Sequence, residues 1–357
     1  MELYRSVLEG IHGPDRAAMR ACAERQDSLA KPIGSFGTLE DISIKVAGIT
    51  GKVKNEVGRK CVVIMAADNG VYEEGVSSCP QIVTMTQSIN FIKGITGIGV
   101  LARFGGADLR VIDLGINGDV AFPGIIDRKI RKSTDNMAKG PAMSREEAIG
   151  AMEIGMETVG RLAQDGYRLL GTGEMGIGNT STSSAVLMSL TGCDADMAVG
   201  KGAGLTEAGF ANKKTVVRRA IAANRPDPRD PIDVMAKVGG FDIAGLTGCF
   251  LGAAYHRIPI VIDGFISALS ALVAFRLNPL AREYMFPSHC SEEPGYKIIM
   301  NELRLEPILN LHMRLGEGTG CPLAFTIIEA AEAVISDMAT FEEAEIENAT
   351  YIDIRRS

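Results

Sequence analysis

The sequence predicts an α/β fold: a parallel, doubly wound sheet with flanking helices. Three observations lead there. Cys61–Ala67 is a continuous apolar run, the mark of a strand covered on both faces. Strand-like and helix-like segments then alternate down the chain, the pattern of a parallel sheet. Glycine is abundant, at 41 of 357 residues, while aromatics make up 5%, which suits closely packed layers joined by backbone-lined turns.

The elements follow in order. Met1 to Val57 reads as mostly helical. Asp15 opens a helix through Arg25, which stops before the Pro/Gly turn Lys31-Pro32-Ile33-Gly34-Ser35-Phe36-Gly37. A second helix, Thr38 to Thr50, has Leu39, Ile42, Val46 and Ile49 on one face. This piece is expected to join the C-terminal helices, so that residues 1–57 with about 285–357 form the small domain and 58–284 the α/β domain. The first strand, Cys61–Ala67, ends in Asp68-Asn69-Gly70-Val71, at the strand end where open α/β sheets bind ligands. A helix is expected from about Gln81 to Lys93, a second strand over Leu109–Gly115 and an edge strand over Ile126–Arg131. Ser144, with Glu146 and Glu147 behind it, starts a helix through Gln164. Tyr167–Thr172 is the next strand, and it leads into a polar, Gly-rich helix start. Thr206–Asn224 is a helix and Arg225–Pro231 a connector. The apolar region Phe241–Phe275 is broken by Asp242, His256, Arg257, Pro259 and Asp263. It reads as helix, strand (Ile258–Phe265, the last clear one) and helix (Ser267–Phe275), not as a membrane span.

Composition narrows the function. A net charge of −7 argues against nucleic acid as a partner, since that would need a basic face. The seven cysteines are scattered, with no CxxC pair, and read as reduced cytoplasmic thiols. The four histidines have no metal-ligand spacing, so neither a metal nor another cofactor is expected.

Four stretches carry chemistry. Gly171-Thr172-Gly173-Glu174-Met175-Gly176 fits GxGxxG with Asp194 about twenty residues on, which would suit a nicotinamide-dependent oxidoreductase. Glu174 inside that loop would repel a pyrophosphate. The helix start Gly178-Asn179-Thr180-Ser181 instead offers N–H groups and hydroxyls to a single phosphate. Gly200-Lys201-Gly202-Ala203-Gly204, with Lys213 and Lys214 beyond it, reads as a second anion contact; for the two lysines a solvated helix face is the plain alternative. Ser288-His289-Cys290 resembles a nucleophile centre, but sequence neighbours seldom form a productive dyad, and a loop closing over a substrate fits better. Leu315-Gly316-Glu317-Gly318-Thr319-Gly320 sets one carboxylate among three glycines, a proton acceptor at a pocket wall or an ordinary loop glutamate before a helix.

Taken together, Lys31–Glu40 (KPIGSFGTLE), Asp68–Val71 with Glu74–Ser77, Gly173–Ser181, Asp263–Phe265, Ser288-His289 and Leu315–Gly320 resemble the nicotinate-nucleotide–dimethylbenzimidazole phosphoribosyltransferase family over nearly the whole chain. The resemblance implies transfer of phosphoribose from nicotinate mononucleotide to a benzimidazole-type base. It also implies a parallel sheet with Rossmann-like topology, a helical domain from both termini and a cytoplasmic homodimer. Glu317 is the implied catalytic base. Glu174, Gly176, Ile177, Gly178, Asn179, Thr180, Gly202, Ala203, Lys213, Ser291, Leu315 and Gly316 are the implied contacts to the phosphoribosyl group and nicotinate. Cys79, Val83, Met85 and Gln87 are the implied acceptor-base pocket. An apolar pocket discriminates poorly between near isosteres, so other benzimidazoles, purines or phenols are expected acceptors too. A catalytically silent paralogue is the non-enzyme rival, and an intact motif around Glu317 speaks against it.

Overall fold

The computed structural model describes residues 1–347 and 352–355. The chain opens with α1 (Glu2–Gly10), α2 (Arg16–Ser28) and α3 (Thr38–Thr50), then enters the sheet at β1 (Arg59–Ala67). Helices α4 (Val83–Lys93) and α5 (Gly97–Phe104) lead to β2 (Ala107–Gly115) and the short β3 (Ile125–Asp127). The long helix α6 (Arg145–Gln164), closed by a Ser144–Glu147 capping box, returns the chain to β4 (Tyr167–Met175). Then come α7 (Asn179–Thr191), α8 (Ala195–Ala198), α9 (Glu207–Asn224), α10 (Pro231–Val238) and α11 (Phe241–Tyr255). The chain finishes through β5 (Ile260–Ile262), α12 (Phe265–Leu277), β6 (Met285–Pro287), α13 (Gly295–Leu303) and α14 (Cys321–Asp337).

Among the described residues all six strands are parallel, in the order β3-β2-β1-β4-β5-β6. The chain leaves β1 in one direction for β2 and β3, then returns to the other side of β1 for β4. The connections after β1 and β4 therefore diverge, and their carboxyl ends frame a crevice where such sheets bind ligands. Cys61 to Ala67 are essentially without solvent exposure, as their unbroken apolar run predicts. Helix α11 is buried along almost its whole length between α6 and the sheet, so its apolar character reflects a central position in the protein core.

The N-terminal helices and α14 meet in a second, smaller core. Cys22 and Leu29 from the first segment pack with Ala47 of α3 and Ile335 of α14. Backbone bonds tie the two segments together, Ala30 N–H to Ala339 O at 2.9 Å and Phe341 N–H to Ser28 O at 2.9 Å. The KPIGSFGTLE stretch has its role here. Lys31 and Glu40 form a buried ion pair at 2.6 Å, and Glu40 also accepts the Phe36 amide, which shapes the turn before α3. We propose these helices as the small domain expected over residues 1–57 and from about 285 onward.

Four readings of secondary structure change. The strand expected over Tyr167–Thr172 continues to Met175, so Gly171, Gly173 and Glu174 are strand residues and not a turn. The edge strand expected over Ile126–Arg131 is only Ile125–Asp127. The strand expected over Ile258–Phe265 is three residues long, because Gly264 caps α12 and ends it early. It is also not the last, since β6 follows at the sheet edge. Met-Phe-Pro is too short to stand out from a loop by periodicity.

Candidate active site

A cavity of about 280 Å³ opens at the carboxyl ends of β1, β4 and β5. Two clusters stand on its wall: the carboxyl groups of Glu317, Glu174 and Asp263, and Lys213 with Thr180, Gly202 and the carboxyl group of Glu293; Lys201 and Arg314 also line it.

Glu317 is buried and has a left-handed backbone, φ 61°, between Gly316 at 80° and Gly318 at 87°. Such a conformation costs a side-chain-bearing residue about 1–2 kcal/mol and persists only where neighbours enforce it. Asp263, at the end of β5, supplies the restraint. Its Oδ2 accepts the Gly318 amide at 2.9 Å and its Oδ1 the Gly320 amide at 2.7 Å. The Glu317 amide points at Glu174 Oε1, 3.4 Å away. A Cβ on Gly316 would lie 2.7 Å from that same oxygen, so only glycine fits there. Behind Asp263, His289 approaches to 4.0 Å and shares a 2.9 Å hydrogen bond with Ser288. The stretch expected to be a closing loop is thus buried bracing at Ser288 and His289.

The side chain of Glu317 is held at one oxygen. Gln87 Nε2 donates to Oε1 at 2.8 Å, while Oε2 is buried without a partner among the described residues. Burial pushes the Glu317 carboxyl above the ordinary range, opposed by the Gln87 hydrogen bond. Glu174 is pushed up to about 8 by burial and by the charge of Asp242, and Asn179 works against this by donating to both carboxylates. Burial likewise raises Asp242 to about 7. Burial raises Asp263 as well, with His289 and the two loop amides pulling it down.

In the second cluster Lys213 is fully buried. Its Nζ donates to Thr180 Oγ1 at 2.8 Å and Gly200 O at 3.0 Å. Burial brings it down to about 8, with Glu293 working against the fall. Lys214, one residue on, turns outward to pair with Asp196 at 2.6 Å. At the start of α7, Gly178 is left-handed, while the Asn179 and Ser181 amides are spent on the carbonyls of Gly176 and Gly178. Fewer free amides remain there than the helix start suggests.

Glu317 and the twelve residues expected to contact the phosphoribosyl group and nicotinate all line the cavity. So do Cys79 and Val83; Gln87 reaches it through Glu317. Met85 does not. Positions 83 and 87 lie one turn apart on α4, whereas 85 faces the other side, toward Gly118. Asp263, Glu293 and Arg314 are further cavity residues. Asp263 had a signal, a carboxylate closing an apolar strand; Glu293 closes the Ser288–Glu293 stretch expected to be a loop over the substrate, with no role of its own, and Arg314 sits in a segment with no pattern to single it out.

The GxGxxG stretch has a different use from a dinucleotide turn. A Cβ on Gly173 would come within 2.7 Å of Glu317 O, and one on Gly171 within 2.6 Å of Cys321 Cβ. These glycines let the Glu317 loop and α14 lie against β4. A pyrophosphate cannot occupy backbone that is already covered, so the oxidoreductase reading fails.

If Asp263 restrains the loop, Asp263→Asn should loosen it, because the amide offers one acceptor and turns a donor toward an N–H. Hydrogen exchange should then show the Gly318 and Gly320 amides losing about tenfold or more in protection, with the sheet amides unchanged.

A family model described as phosphoribosyltransferase matches residues 11–346. The chain is 57% identical over 342 residues to the nicotinate-nucleotide–dimethylbenzimidazole phosphoribosyltransferase of Clostridium acetobutylicum, covering 96% of this chain and 97% of that one. It is 57% identical over 346 residues to the protein of the same name from Acetivibrio thermocellus, covering 97% and 95%. The crystal structure of CobT from Thermus thermophilus matches with a TM-score of 0.90 at 38% identity, over 93% of this chain and 100% of that one. The continuous match in sequence and fold places this chain in the nicotinate-nucleotide–dimethylbenzimidazole phosphoribosyltransferase family.

Proposed function

We propose that this enzyme transfers the 5-phosphoribosyl group of nicotinate mononucleotide to 5,6-dimethylbenzimidazole or a related base. The products are nicotinate and α-ribazole 5′-phosphate. The observation that carries the reading is the state of Glu317, a buried carboxylate with one oxygen fixed by Gln87 and the other unpartnered, on the wall of a cavity whose other charged cluster is built around the buried Lys213.

The donor matches these two clusters. Nicotinate mononucleotide carries a pyridinium on the anomeric carbon and a phosphate on the 5′ carbon. With the phosphate against Lys213, Thr180 and Gly202, the anomeric carbon points toward the carboxylates. Nicotinate departs with the electron pair of the glycosidic bond and needs no general acid. One imidazole nitrogen of the acceptor attacks from the opposite face, which turns the β linkage into α. The other nitrogen loses its proton to Glu317 Oε2. Positive charge gathering on the ribose during transfer is favoured by the ionised Glu317 beside it. Glu174, at about 8, stays protonated near neutrality, and the Gln87 hydrogen bond favours the ionised form of Glu317. Cys79 and Val83, with Gln87 behind them, form the acceptor side, and their small apolar surface supports broad acceptor use.

Glu317→Gln should bind nicotinate mononucleotide yet release nicotinate at least about 100-fold more slowly in the presence of dimethylbenzimidazole, as followed by chromatography. Unchanged turnover would remove Glu317 from the base role. In the wild type, the base works when deprotonated, so kcat is present above the Glu317 pKa and lost as pH falls through it. Burial sets that limb above the ordinary value of 4.5. On the alkaline side, Lys213 loses its charge near 8 and the KM for the mononucleotide should climb.

We further propose a cytoplasmic homodimer. The seven described cysteines are free thiols, and among the described residues no helix is long and apolar enough to cross a membrane. Val100 and Phe104, one turn apart on α5, are exposed beside Ile95, an apolar face suited to a second copy. Light scattering at micromolar concentration should give twice the 38.0 kDa chain mass; a monomer would exclude it.

A further inference from the structure

The Lys213 cluster of the cavity holds a carboxylate that the transfer reaction leaves unused. Glu293, just ahead of α13, lines the wall with Lys213, Thr180 and Gly202. Its Oε2 is buried without a hydrogen-bond partner among the described residues. The group lies hard against Gly200, where an added Cβ would be 1.8 Å from Oε2. Lys213 donates to the carbonyl of that same glycine at 3.0 Å. Two opposite charges thus flank one short segment, and the Gly202 amide faces the carboxylate. The hydrogen bonds of Lys213 nonetheless run to Thr180 and Gly200. Arg314 also faces Glu293, Lys201 stands on the same wall, and Glu292 turns away to His312 at 2.7 Å. Burial lifts Glu293 above the ordinary carboxylate range, while Lys213, the Gly202 amide and Arg314 pull it back.

An ionised carboxylate beside a phosphate dianion repels it; a protonated one is a hydrogen-bond donor to it. We propose that Glu293 takes up one proton from solvent as the monophosphate of the substrate enters, and donates it in a hydrogen bond from its carboxyl group to a phosphate oxygen. In the empty cavity Glu293 balances Lys213; in the occupied one the phosphate takes over that charge. No covalent bond to carbon or phosphorus changes, and the proton returns to solvent when the product leaves. The proposal rests on the phosphate lying at Lys213, as argued above. Its consequence is that substrate binding, and not the chemical step, weakens as pH rises through neutrality.

Calorimetric titration with nicotinate mononucleotide at pH 7, in buffers of different ionisation enthalpy, reads proton uptake directly. The wild type should take up about one proton more than Glu293→Gln, a difference read again at pH 6, where Lys213 keeps its charge even though losing Glu293 lowers its value from about 8. Between pH 6 and 7.5 the wild-type KM should rise by up to about tenfold per pH unit, and that of Glu293→Gln should stay flatter, with kcat similar in the two. Glu293→Asp, shorter but still titratable, should retain the uptake. Equal uptake in the wild type and Glu293→Gln, alongside weakened binding by Lys213→Met, would overturn the role of Glu293 alone. Unweakened binding by Lys213→Met would overturn the phosphate placement and this proposal with it.

Discussion

The site depends on the Asp263 carboxylate. It closes β5, accepts the amides of Gly318 and Gly320, and so fixes a loop whose central residue has an unfavourable backbone. Three consecutive left-handed residues would not hold that shape in water. They hold it here because the loop is pinned at two amides, pressed onto the bare backbone of Gly173 and followed directly by α14. The strain brings Glu317 to the cavity wall with one oxygen toward Gln87 and the other unpartnered. Rigid placement of this kind is what the proposed base role of Glu317 requires.

Sheet order explains why such unlike groups meet. The reversal between β1 and β4 opens the crevice, and the segments after β1, β4 and β5 supply its walls. Two of the cations, Lys201 and Lys213, come from the loop before α9 and from α9 itself, and Arg314 directly precedes the Glu317 loop. Carboxylates gather at the strand ends, while Lys213 reaches in from a helix whose other lysine, Lys214, stays outside. The result is a cavity that brings carboxyl groups and a buried lysine together.

Much of this was legible in the residues. The unbroken apolar run of β1, the Ser144 cap and the helix Thr38–Thr50 are local signals, and local physics decides them. The carboxylate among glycines at 315–320 was legible as a pocket element, although not why it needed glycines on both sides. The glycines of β4 kept a rival reading open because spacing cannot tell a turn around a phosphate from a strand covered by another loop; only the tertiary contact with Glu317 separates them. Met85 misled through a segment-level assignment that ignored the helical period. Glu293 was legible only as the end of the Ser288–Glu293 stretch, since its meaning lies in Lys213, distant in sequence and adjacent in space.

The most direct test is a crystal structure with α-ribazole 5′-phosphate and nicotinate bound. The benzimidazole nitrogen not joined to ribose should lie within about 3 Å of Glu317 Oε2, with the phosphate against Lys213 and Gly202. A phosphate beside Glu317, or a base whose free nitrogen faces away from Glu317, would contradict both the role of Glu317 and the placement of the phosphate.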